Sequence, residues 1–285
     1  MAHGTVTTRW APLVALALWS CRGKHETTAQ APEPRPAGIV VAASTSPAAS
    51  APPSPPAPPP LPTPEPIVSL EVEGFRDAAV SLPVHARGRR PVVIALHGNY
   101  DRPEWQCDVW RDITEAFPFV LCPRGIPRTD APKSEDRWTW GSLTRTKKEV
   151  LAALDALRAR YPDHVAEGSV VFTGFSLGAI LGRFIVSSEA KTFPRAVLIE
   201  GGYDGWTIGF AKRFHDAGGE RVLFACGQAA CRLASQAASR VAEKTDVGAR
   251  VTFGGNVGHT YDGVVAHGVK TELAWLVEGD PQWAR

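Results

Sequence analysis

Apolar positions along the chain change period repeatedly between residues 67 and 277. Short unbroken apolar runs, such as Val92-Val93-Ile94-Ala95-Leu96 and Val222-Leu223-Phe224-Ala225, alternate with longer stretches whose apolar residues recur three and four apart. The first pattern predicts strands buried on both faces, and the second predicts helices with one face to a core. Strands are expected at 67–73, 79–83, 91–96, 119–122, 169–172, 195–199, 221–225 and 249–253, the first two as a hairpin edge. Helices are expected at 104–117, 143–161, 179–189, 206–217, 229–245 and 264–277. In the second of these, Val150, Leu151, Leu154 and Leu157 share a face, and Pro162 helps end the helix. Strands alternating with helices predict an α/β fold, a mostly parallel central sheet with helices on both faces. In such sheets function gathers at the carboxyl ends of the strands.

The first 66 residues have a different pattern. Arg9 precedes an uncharged apolar run from 11 to 19, which is the form of a secretory signal over residues 1–20. The run is shorter than the roughly 20 residues a membrane span needs. Leu18-Trp19-Ser20-Cys21 then resembles a bacterial lipobox, although Trp19 is bulkier than usual at its position. That resemblance implies cleavage before Cys21, lipidation of its thiol, and a protein exported and lipid-anchored in the cell envelope, at the periplasmic or outer surface. Ordinary secretion with cleavage nearby is the alternative. Fourteen of the chain's 25 prolines lie between residues 31 and 66, among Ala, Ser and Thr. Such a stretch has little to bury, so 21–66 is expected to be a disordered tether. Residues 67–285 then form one domain, long enough to bury a sizeable core.

Charge and cysteines narrow the function classes. A net charge of +2 gives no electrostatic case for nucleic acid, and the expected membrane contact is the lipid anchor alone. Five cysteines leave four once Cys21 is set aside. An even number in an exported chain suggests disulfides. Cys107–Cys122 and Cys226–Cys231 are favoured because each pair is close in sequence, though the sequence alone allows three pairings. No metal-ligand spacing joins these cysteines to histidines, and no motif calls for a cofactor.

The strongest chemical signal is Gly174-Phe175-Ser176-Leu177-Gly178, which fits G-x-S-x-G between an apolar strand and a helix. A nucleophilic serine must stand on a sharp turn with its hydroxyl clear of the backbone. Glycines two before and two after remove the collisions that such a turn would create. His97-Gly98-Asn99-Tyr100-Asp101 follows the third strand, and Gly258-His259-Thr260-Tyr261-Asp262-Gly263 precedes the last helix. This ordered set, over 67–285, resembles the α/β-hydrolase family. The resemblance implies Ser176 as nucleophile and His259 as its base. It implies backbone N–H groups of Asn99 (with Tyr100 as the alternative) and Leu177 as the oxyanion hole. His97 ends a strand and is expected to be structural. His85, His164, His215 and His267 lie less favourably for catalysis.

The triad acid departs from the family pattern. Its usual turn reads Gly227-Gln228-Ala229-Ala230-Cys231, with Ala230 where an aspartate is expected. Glu200, at the end of the preceding strand, is the first candidate, followed by Asp204 and then Asp262; a Ser–His dyad is the remaining option. The 124–142 loop is rich in Arg, Asp and Trp and should overhang the site. Trp105, Trp110, Trp138 and Trp140 either line a pocket for aromatic or sugar-bearing substrates or anchor loops. No long insertion separates the strands at 195–199 and 221–225, which argues against a long-chain lipase. The likeness is nearest to the dienelactone-hydrolase and the bacterial polyester or feruloyl esterase branches. It implies a serine hydrolase acting on a small or medium carboxylic ester. The alternatives are a binding lipoprotein that has lost catalysis and a peptidase on the same scaffold.

Overall fold

The computed structural model describes Pro59, Leu61 and residues 66–284. The expected signal, the Cys21 anchor and nearly all of the expected tether lie outside the described residues.

Eight strands form one sheet in the order β1(Ile67–Leu70), β2(Ala78–Ser81), β4(Phe119–Cys122), β3(Val92–Leu96), β7(Val171–Phe175), β8(Arg195–Ile199), β9(Arg221–Cys226) and β10(Gly248–Phe253). The β1–β2 and β2–β4 pairs are antiparallel, and the pairs from β4 to β10 are parallel. The hairpin edge and parallel centre agree with the sequence pattern. Alternate residues of the central strands enter two separate cores. Ile94, Phe172, Leu198 and Phe224 face one, under helices α2(Leu143–Arg160), α3(Leu177–Ser188), α4(Ile208–Asp216) and α5(Ala229–Glu243). Val93, Val171, Val197 and Leu223 face the other, under α1(Pro103–Ile113) and α6(Gly263–Val277). This is why the strands read as continuous apolar runs rather than as alternation. Each such side chain contributes about 1.5–3 kcal/mol of burial.

Several boundaries differ from expectation: β1 ends at Leu70 rather than 73, and α1 ends at Ile113 rather than 117. The elbow strand runs to Phe175, not 172, because parallel ladders to β3 and β8 carry it through Gly174. The 124–142 loop contains a small antiparallel pair, β5(Ile126–Pro127) and β6(Trp138–Thr139). The tryptophans divide. Trp110, Trp138 and Trp140 are buried and anchor α1 and the loop, whereas Trp105 is exposed. Disulfides join Cys107 to Cys122 and Cys226 to Cys231. The strand order reverses between β3 and β7, the position at which open α/β sheets as a class bind ligands, outside the carboxyl ends of the strands.

Candidate active site

Ser176 follows β7 with φ 51° and ψ −115°. That conformation is strained for a residue with a Cβ, and it sets the side chain at the start of α3. The flanking glycines are required by close approach. A Cβ on Gly174 would lie 2.6 Å from the Gly178 carbonyl. A Cβ on Gly178 would lie 2.6 Å from the Leu96 and His97 carbonyl oxygens. The elbow is thus wedged against the end of β3. Ser176 N–H donates to Ile199 O (2.9 Å), which ties the serine to the residue before Glu200.

Glu200 also has positive φ (51°), at the end of β8. Its side chain is 2% exposed, and it is held from two sides. Oε1 accepts the N–H groups of Gly227 (2.6 Å) and Gln228 (3.0 Å). Oε2 lies 3.0 Å from His259 Nδ1. A carboxylate facing Nδ1 keeps the proton there and leaves the Nε2 lone pair open to accept another. His259 is half-exposed, and its ring lies 4.9 Å from the Phe175 ring, beside Ser176. The Ser176 hydroxyl and His259 Nε2 make no hydrogen bond among the described residues.

Of the three candidate acids, the structure brings Glu200 to His259. Asp204 is exposed and makes no bond to the ring. Asp262 accepts the Thr260 hydroxyl instead, at the start of α6.

The loop after β3 is braced from several directions. Gly98 N–H donates to Asp101 Oδ2 (3.1 Å), and Tyr100 N–H to Trp138 O (3.0 Å). Asn99 N–H has no partner among the described residues, and neither does Leu177 N–H. Tyr100 N–H is therefore spent, and the two free amides are Asn99 and Leu177. The Asn99 side-chain oxygen accepts Arg128 Nη1 (2.6 Å) and Thr139 Oγ1 (2.7 Å). His97 is fully buried, with its ring nitrogens 2.7 Å from Gly98 O and 2.8 Å from Arg124 O. Its ring stacks on Trp140, and burial pushes its pKa down. It is a scaffold residue.

Sequence reasoning did not single out Asp101, Tyr261, Arg128 or Thr139. Asp101 is buried, and its Oδ1 accepts the Tyr261 hydroxyl (3.3 Å), joining the Asn99 loop to the His259 loop. Burial, followed by Asp101, raises the Tyr261 pKa, so the hydroxyl stays a donor. Asp101 and Tyr261 lay inside motifs already quoted, but their pairing crosses the sheet. Glu200 and the Cys226 and Cys231 sulfurs lie within 4.8 Å of one another. Both sulfurs are committed to a disulfide, which leaves one ligand atom and no metal site there.

The fold is shared with solved hydrolases. Est1E from Butyrivibrio proteoclasticus superposes with a TM-score of 0.54 at 14% identity, over 75% of this chain and 99% of that one. The Bacillus cereus carboxylesterase gives 0.50 at 16% identity, over 72% and 94%. The Pyrococcus horikoshii acylaminoacyl peptidase gives 0.50 at 13% identity, over 77% of this chain and 42% of that one. The chain has an α/β-hydrolase-type fold. No protein-family model and no curated protein matches it.

Proposed function

We propose that the chain is a serine hydrolase cleaving carboxylic esters of small or medium substrates through an acyl-enzyme. The observation that carries this reading is the Glu200–His259 hydrogen bond of 3.0 Å, together with a serine held at positive φ on a strand–helix turn and tied through Ile199 O to the residue before Glu200. Ser176 Oγ attacks the ester carbonyl carbon while His259 Nε2 takes its proton. The oxyanion is held by the Asn99 and Leu177 N–H groups, neither of which has another partner among the described residues. On collapse the C–O bond to the alcohol breaks, and His259 returns the proton to the leaving alkoxide. Water then deacylates Ser176 by the same steps. The buried Glu200 keeps the imidazole in the required tautomer and stabilises its charged form. The two disulfides suit a compartment outside the reducing cytoplasm, in keeping with the expected leader and Cys21 anchor.

A fluorophosphonate probe should label the wild type and leave Ser176→Ala unlabelled. Labelling of neither folded protein would instead favour the binding-only alternative. Peptidase action differs in the leaving group. The peptidase neighbour has much of its own chain outside the shared fold, so the ester reading is preferred.

A further inference from the structure

We infer that the Cys226–Cys231 disulfide is a positioning element for catalysis, because it fixes the one turn that holds both Glu200 and the His259 loop. The inference rests on the catalytic roles proposed above. Cys226 is the last residue of β9, and Cys231 lies in the first turn of α5. Both are buried, and the bridge spans five positions. The turn between them is where the family resemblance expects the acid, and here it carries Ala230. It serves the displaced acid through its backbone. The Gly227 and Gln228 N–H groups converge on Glu200 Oε1, at the N-terminus of α5, where the helix dipole favours an anion. The Gly227 carbonyl accepts both Val257 N–H (2.9 Å) and Gly258 N–H (3.0 Å), the two residues before His259. A single residue next to the disulfide therefore sets the acid on one side and the approach of the base on the other.

Besides these bonds, two backbone bonds hold the ends of the turn, Gly254 N–H to Cys226 O (2.9 Å) and Arg232 N–H to Gln228 O (3.1 Å), and its side chains add little. Gln228, the N-cap of α5, makes no side-chain capping bond. Ala229 and Ala230 have no side-chain hydrogen-bonding group. Ala229 N–H has only a long bond to Asn256 Oδ1 (3.4 Å). Opening the disulfide loosens the turn, and its two N–H groups on Glu200 Oε1 are no longer fixed relative to the His259 ring. The acid–base pair then samples geometries away from the elbow, which lowers turnover without removing any substrate contact.

The test compares Cys226→Ala/Cys231→Ala with Cys107→Ala/Cys122→Ala, using the full chain. The first double variant should lose at least tenfold in kcat with KM within about twofold, and amide hydrogen exchange at Gly227 and Gln228 should accelerate. The second removes a disulfide between α1 and β4 and should lower the melting temperature while keeping kcat near wild type. Folded Cys226→Ala/Cys231→Ala with wild-type kcat and unchanged exchange at the turn would overturn the inference. So would equal kcat losses in both variants.

Should the first variant not fold, the wild type can be partly reduced with a dithiol. Two electrons and two protons pass to the disulfide, giving two thiols, and the dithiol becomes a disulfide. Alkylation and peptide mapping then sort molecules by which bridge is open. Activity loss following the Cys226–Cys231 fraction supports the inference, and loss independent of it overturns it. A wild type that neither turns over esters nor takes up fluorophosphonate would refute the catalytic reading. The exchange measurement would still report whether the disulfide fixes the turn.

Discussion

Replacing Glu200 with glutamine isolates the role of the acid, because the change is nearly isosteric and the surroundings dictate how the amide must sit. Oε1 faces two N–H donors, at 2.6 and 3.0 Å, in a pocket where the side chain is 2% exposed. Turning the amide NH2 toward them would leave buried donors facing each other, at about 1–3 kcal/mol for each unsatisfied group. The glutamine oxygen therefore takes the Oε1 position and the NH2 faces His259 Nδ1. That nitrogen must now accept, so the ring proton moves to Nε2 and the base cannot take the Ser176 proton. Triad acids exchanged for their amides lose on the order of 10⁴ in kcat, equivalent to about 5 kcal/mol of transition-state stabilisation. Glu200→Gln should show a loss of that order with p-nitrophenyl acetate. KM should change little and the melting temperature should stay close to wild type, since each hydrogen bond keeps a partner. Asp204→Asn and Asp262→Asn should each stay within about threefold of wild type, since neither residue bonds to the ring. A folded Glu200→Gln retaining more than a tenth of wild-type kcat would refute the assignment. An equal loss in Asp262→Asn would transfer the role to that residue.

Two further outcomes follow from packing and from charge. Gly178→Ala places a methyl group 2.6 Å from two backbone carbonyl oxygens of the β3 end, atoms with no flexible side chain to yield. It should cost about 1–3 kcal/mol in urea unfolding and abolish fluorophosphonate labelling; wild-type stability with full labelling would show that the elbow has slack. Glu149 is buried on α2 and accepts Gly125 N–H (2.7 Å), and burial raises its pKa above the ordinary 4.5. The native state then holds this proton more tightly than the unfolded chain does. The group's favourable contribution is complete below about pH 4.5 and is lost as pH rises through the higher native value. Relative to Glu149→Gln, the wild type should lose unfolding free energy over that rise and then level off. A difference that grows in the wild type's favour with pH would contradict the burial argument.

Much of the site was legible because its parts are local. Ser176 and its two glycines announce a turn whose sterics require those residues in that spacing, and the structure gives Ser176 positive φ with both glycines in contact with backbone. The alternation of unbroken apolar runs with helical spacing implied the parallel sheet, because two cores demand apolar residues on both faces of each strand. The boundary of the elbow strand was less legible, since pairing on both sides extends a strand through a glycine that local propensity would exclude.

Long-range placement decided the rest. Glu200, Asp204 and Asp262 are alike in sequence terms: each is an acidic residue near a strand end or near the histidine. What separates them is that β8 lies beside β9, so the Glu200 carboxylate reaches the Gly227 turn and the His259 loop folds back over it. Asn99 and Tyr100 are adjacent in sequence, and only Trp138, brought over by the 124–142 loop, consumes the Tyr100 amide and leaves that of Asn99 free. The chain by itself specified the α/β alternation and the elbow, because periodicity and turn sterics act over a few residues. Which carboxylate faces the histidine, which amide stays free and which tryptophans anchor the loop was decided by tertiary structure, because those contacts join segments that only the strand order and register bring together.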